Sequence, residues 1–182
     1  NTGQNLEEVK DNNNFFVVDL LAHNRACCFA AGTQISLSNS DTKNIEDIII
    51  GDEVVGWDSE KGERTIGNVI ALNHKDTVGS HAAACESLGD APSLYTINDT
   101  EIEFTPEHPF LTKDGWKSLV PDNAQEPYLS EQEPKTLVVG DEINVDDNWV
   151  EIKSIEVVRS NADERVYNFT VDGIHSYIAN GI

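Results

Sequence analysis

From Thr33 onward the chain alternates short apolar-rich runs with pairs of turn-forming residues. The runs fall at 33–37, 45–50, 53–57, 65–72, 93–98, 102–105, 110–111, 135–139, 142–145, 149–158, 165–171 and 175–179. Between them stand Gly51-Asp52, Lys61-Gly62, Asn98-Asp99, Asp114-Gly115, Gly140-Asp141 and Asp172-Gly173. Small or self-capping residues of this kind tolerate the dihedrals of tight turns, and runs this short suit strands rather than helices. The pattern predicts an all-β chain.

The pattern also repeats. Ile48-Ile49-Ile50-Gly51-Asp52-Glu53-Val54 is echoed by Leu137-Val138-Val139-Gly140-Asp141-Glu142-Ile143, and Leu94-Tyr95-Thr96-Ile97-Asn98 by Val166-Tyr167-Asn168-Phe169-Thr170. Two echoes in the same order predict a duplicated β unit with approximate two-fold symmetry. The first copy is longer by the stretch 76–92, read as an excursion loop with room for one helical turn, and the polar stretch 121–134 separates the halves. Residues 1–14 are polar and Asn-rich, a lead-in with little core character. Residues 15–26 form an apolar run towards two adjacent cysteines, too short for periodicity to choose between strand and helix.

Composition narrows the function. Twelve basic residues against 33 acidic ones give a formal net charge of -21 in 182 residues, a balance that repels phosphate backbones and anionic bilayers. Nucleic-acid and membrane partners are therefore not expected, and a monomer with no cofactor is. No run approaches the ~18 apolar residues of a membrane span, and the early apolar run lacks the basic flank of a signal peptide. Three cysteines, Cys27, Cys28 and Cys85, cannot complete a disulfide framework, which favours a reducing, intracellular compartment or a reactive thiol.

Chemistry is concentrated at three places. Cys28, in Cys28-Phe29-Ala30-Ala31-Gly32-Thr33, opens a strand after which a tight turn fixes its position. By type alone it is a small buried hydrophobe, yet a thiol at the mouth of a strand lies beside its own upstream carbonyl, and a nearby base activates it. His108 sits in Phe104-Thr105-Pro106-Glu107-His108-Pro109-Phe110, where two prolines rigidify a segment without regular structure. Rigidity of this kind positions a proton donor. Thr105 is placed to offer a hydroxyl or backbone N–H to a developing oxyanion. His175 follows the Asp172-Gly173 turn and by itself favours a structural role, and Trp57, Trp116 and Trp149 favour packing. A metal site built on His81 and Cys85, four residues apart, finds no Cys-x-x-Cys or His-x-x-x-His to complete it, and no metal is expected.

Taken in order, these motifs resemble a Hint domain, the self-processing fold of hedgehog C-terminal domains, inteins and bacterial intein-like domains, over about residues 28–182. Thr105-Pro106-Glu107-His108-Pro109-Phe110, Gly115-Trp116 and Val139-Gly140-Asp141 are similar in flavour to the bacterial intein-like members. The resemblance implies a horseshoe of two pseudo-two-fold related β subdomains and a substrate in cis, the chain's own flanking polypeptide. It implies that Cys28 attacks the Cys27 carbonyl, an N-to-S acyl shift that turns the Cys27-Cys28 bond into a thioester. Thr105 and His108 match the family's Thr-x-x-His, which polarises the scissile amide and protonates its nitrogen. Residues 1–27 are then the leaving, N-extein-like segment, and the activity is single-turnover. Asn168 stands where many inteins carry an acidic residue, so it hydrogen-bonds but moves no proton. His175 matches the histidine that assists the later step, and the terminal His-Asn would lie about four residues past Ile182. The alternative is a catalytically silent β module whose motifs serve folding.

Overall fold

Strands pair across the duplication as well as within it. The computed structural model describes residues 27–58, 61–74, 76–121, 134–159 and 161–182. Along these run β1 (Phe29–Ala30), β2 (Gln34–Ser36), β3 (Thr42–Asn44), β4 (Glu53–Asp58), β5 (Glu63–Asn73), β6 (Leu94–Ile97) and β7 (Phe110–Thr112). They continue with β8 (Gly115–Ser118), β9 (Lys135–Thr136), β10 (Glu142–Val145), β11 (Asn148–Glu151), β12 (Ile155–Arg159) and β13 (Val166–Val171), with one short helix, α1 (Ala82–Ser87). The sheets take the orders β1-β13-β5-β4, β11-β10-β7-β8-β9, β12-β6 and β2-β3. Long β5 of the first half therefore pairs with β13 of the second, and β12 of the second with β6 of the first. Each half gives a late strand to the other, so neither can bury its apolar face alone. The resulting core includes Ile35, Ile45, Val54, Ile97, Phe104 and Ile143.

The duplication holds bond by bond. Ile48 and Leu137 are buried, whereas Ile49, Ile50, Val138 and Val139 are exposed. Gly51 and Gly140 take φ of 95° and 100°, the region in which glycine avoids Cβ strain. The Gly51 N–H donates to Val69 O and the Gly140 N–H to Ile152 O, each at 2.8 Å. The carboxylates of Asp52 and Asp141 accept the N–H of Ile49 and Val138 at 3.0 and 2.9 Å. Each carboxylate also pairs with a lysine, Lys43 at 2.7 Å and Lys117 at 2.6 Å. A carboxylate that accepts a turn N–H three residues back closes the loop itself. This explains why Gly-Asp recurs at both places.

Several runs expected as strands are not. Residues 45–50 begin with a 3-10 turn, Ile45–Asp47. Ile45 and Ile48 are both buried, and one tight turn turns residues three apart to the same side. Residues 102–105 and 175–179 contribute only isolated bridges, Phe104 to Phe29 and Tyr95, and Ala179 to Ile35. The 76–92 stretch is a packed element, not an open loop. Its 3-10 turn Val78–His81 leads into α1, and Val78, His81, Ala84 and Cys85 are buried. Trp149, expected to pack, is 39 % exposed. The lead-in at 1–14, the run at 15–26 and most of 121–134 lie outside the described residues.

Candidate active site

β1 begins one residue after Cys28, and its pairing of Phe29 with Tyr167 and Ala30 with Val166 fixes the thiol's position from the opposite strand. The following turn is closed by Thr33 Oγ1, which donates to Ala30 O at 2.8 Å. Cys27 and Cys28 are buried and unoxidised, with no disulfide. Across from them lies the segment after β6. The Thr105 N–H donates to Cys28 O at 2.9 Å, and the Cys28 N–H donates to Thr105 Oγ1 at 3.0 Å. The peptide nitrogen joining Cys27 to Cys28 is thus held by the Thr105 hydroxyl, with Cys28 and Thr105 both fully buried. Of the two expectations for Thr105, an oxyanion donor or a partner of the scissile amide, its hydroxyl lies at the amide nitrogen.

His108 completes this side. Its N–H donates to Thr105 O at 2.9 Å, which folds Thr105-Pro106-Glu107-His108 into a turn. Its ring lies 3.9 Å from that of Phe29 and 5.4 Å from that of Phe110. Burial among these aromatics pushes its pKa down to about 3, and a hydrogen bond with the Cys27 backbone pulls the other way. A bond that favours the protonated ring is one the ring donates, and the Cys27 carbonyl is the backbone acceptor available. The ring is neutral at pH 7. Its Nδ1 has no hydrogen-bond partner among the described residues. With Phe29, Tyr177, Gly181 and Ile182, His108 lines a pocket of ≈ 70 Å³.

A second histidine approaches from the 76–92 element. His81 Nδ1 lies 3.2 and 3.1 Å from the two carboxylate oxygens of Glu107. Both side chains are buried, at 1 % and 2 % exposure. A ring nitrogen of His81, Cys28 Sγ and an Asp76 carboxylate oxygen lie within 4.8 Å of one another. A closed tetrahedral metal site needs four donors, and this trio offers three. The pairing of His81 with Cys85 does not form: Cys85 Sγ accepts the Ser93 N–H and donates to Ser93 O. Burial pushes the Cys85 thiol up.

The remaining candidates divide. One step beyond the β1–β13 pairs, Asn168 stands across from Cys28. Its Oδ1 accepts the Tyr177 hydroxyl at 2.7 Å. His175 is exposed on the turn after β13, with φ of 50°, and is not buried with the others. Sequence reasoning missed Asp76, Glu107 and His81 as companions of Cys28. The one local signal was Glu107, an acid held between two prolines beside His108.

No protein-family model and no curated protein matches the sequence. Solved structures do. The crystal structure of a DnaB intein from Synechocystis sp. PCC 6803 is 21% identical over 86% of this chain and 96% of its own, with a TM-score of 0.61. The solution structure of a bacterial intein-like domain from Clostridium thermocellum is 25% identical over 84% and 91%, with a TM-score of 0.59. The gp41-1 intein is 19% identical over 86% and 96%, with a TM-score of 0.54. The chain has the Hint fold. Cys28 in this Hint fold immediately precedes the first strand, and Thr105 Oγ1 accepts the N–H of the bond that joins it to Cys27. Among the described residues no helix is long and apolar enough to cross a membrane.

Proposed function

We propose that this Hint-fold chain is a self-processing domain acting once, in cis, on the Cys27-Cys28 peptide bond. Cys28 Sγ adds to the Cys27 carbonyl carbon, a C–S bond forms, the C–N bond breaks, and the thiol proton ends on the Cys28 nitrogen. The product is a thioester of the upstream segment and a free amine at Cys28, the opening step of splicing or of autocleavage. The observation that carries the reading is the direct hydrogen bond from the Cys28 N–H to Thr105 Oγ1 at 3.0 Å, between two fully buried residues.

A planar amide resists attack because resonance shares the nitrogen lone pair with the carbonyl. Thr105 holds the nitrogen, and a neutral His108 donates to the Cys27 carbonyl oxygen, where negative charge develops as sulfur adds. Donors fixed in advance in a dry site need no reorganisation during the reaction. Asn168, whose Oδ1 accepts the Tyr177 hydroxyl, is an orienting group rather than a proton carrier. Gly181 and Ile182 line a pocket together with His108. His175, exposed nearby in sequence, is assigned to the downstream step.

The alternative, a silent β module, expects His108 to stand away from this bond, and the hydrogen bond between His108 and the Cys27 backbone weighs against it. The test is incubation of the whole chain with dithiothreitol at neutral pH, with products weighed by mass spectrometry. Cleavage between Cys27 and Cys28 is expected, and Cys28→Ala should abolish it. Native protein that stays intact, indistinguishable from Cys28→Ala, defeats the reading.

A further inference from the structure

We propose that His81, oriented by Glu107, is the base that takes the thiol proton of Cys28; the inference rests on the acyl-shift reading above. Glu107 engages Nδ1 of His81 with both oxygens. This fixes the tautomer that carries hydrogen on Nδ1 and leaves Nε2 as a lone pair. Nε2 is buried and has no hydrogen-bond partner among the described residues. A structural histidine in a dry interior usually satisfies both nitrogens, since an unmet buried polar atom costs about 1–3 kcal/mol. Here a ring nitrogen, the Cys28 sulfur and the Asp76 carboxylate share a space within 4.8 Å. Within that space, small rotations of a thiol and a ring bring sulfur and nitrogen into line during reaction.

The charges around His81 suit a temporary proton. Glu107 contacts its ring, and an Asp76 carboxylate oxygen lies beside it. His108, the other titratable group coupled to it, is neutral and does not oppose it. Cys85, also near Glu107, holds its thiol proton through burial. The Sγ–H bond of Cys28 breaks towards Nε2, and the sulfur lone pair forms the C–S bond to the Cys27 carbonyl carbon. The carbonyl π pair moves to oxygen and returns as the C–N bond breaks, and the proton held by His81 passes to the departing Cys28 nitrogen. No proton or electron enters or leaves the site. Glu107 remains a positioning residue throughout.

The decisive experiment follows dithiothreitol-induced cleavage of the whole chain from pH 6 to pH 9, in parallel with alkylation of Cys28 by iodoacetamide read peptide by peptide. His81→Gln is expected to slow both at pH 7 by about 100-fold. Its rate should then climb about tenfold per pH unit as hydroxide replaces the missing base, while the native rate levels off. Glu107→Gln should fall by about tenfold and shift the inflection to lower pH, because the imidazolium loses its carboxylate. Imidazole added to His81→Gly should restore part of the native rate. A His81 that only supports the fold predicts the same loss at every pH and no rescue, and either result overturns the proposal. If His81→Gln keeps the native rate and profile while Cys28→Ala blocks cleavage, the base assignment fails and the acyl shift stands. If Cys28→Ala cleaves like the native chain, both fall. Should His81→Gln not fold, the Glu107→Gln profile decides.

Discussion

His108 links the stability of the domain to pH in a way that can be separated from its other titrations. Its folded pKa lies at about 3 against an ordinary value of 6.5. Above pH 6.5 the ring is neutral in both folded and unfolded chains and costs nothing. Below that, the unfolded chain takes up a proton that the folded chain refuses, so stability is lost as pH falls from 6.5 towards 3. At about 1.4 kcal/mol per unit, the loss between pH 7 and pH 5 is about 2 kcal/mol, and by pH 4 about 3 kcal/mol. The many carboxylates, in a chain of net charge -21, titrate in part of the same range with effects of either sign. The quantity to measure is therefore a difference. Urea unfolding at pH 7, 6, 5 and 4 would compare a Cys28→Ala chain, kept intact by the missing thiol, with the same chain carrying His108→Gln. The His108 chain should lose about 2 kcal/mol more between pH 7 and pH 5. Parallel stability curves for the two chains would show that the ring titrates normally, and the neutral-donor role given to His108 would fall with the buried-imidazole argument.

Three further outcomes follow from the geometry. Thr105→Val leaves the buried Cys28 N–H without its acceptor and should cost about 1–3 kcal/mol in urea unfolding, with Thr105→Ser recovering most of it. Asp141→Ala breaks a pair whose side chains are 11 % and 10 % exposed, whereas Asp52→Ala breaks one at 29 % and 19 %; thermal unfolding should show about 2–3 kcal/mol lost at Asp141 against about 1 kcal/mol at Asp52. Gly56→Ala should destabilise by about 2 kcal/mol or more, since its Cβ would stand 2.3 Å from Ser176 O. The same substitution should speed amide exchange at Ile178, whose N–H donates to Val55 O.

Turn chemistry is local, and it was legible. Gly51-Asp52 and Gly140-Asp141 announced two matching turns because a positive φ and a self-capping carboxylate are demands met within a few residues. The all-β class followed from the same grammar, and the duplication from its repetition. Cys28, Thr105 and His108 were singled out by motif and order, and the fold brings Thr105 Oγ1 to the Cys28 nitrogen.

Chain reversals far apart in sequence were not legible. That β5 pairs with β13 and β6 with β12 depends on two halves completing each other, and no window of either half encodes its partner. Residues 45–50 read as a strand by composition, but burial of Ile45 and Ile48 on one side selected a 3-10 turn. His81 and Glu107 are separated by 26 residues and meet only when the 76–92 element packs against the Thr105–His108 turn. The sequence alone determined which residues carry reactive groups and which turns the backbone makes. Tertiary structure decided which of those groups share a water-free space, because burial and hydrogen-bond geometry are properties of neighbours in space.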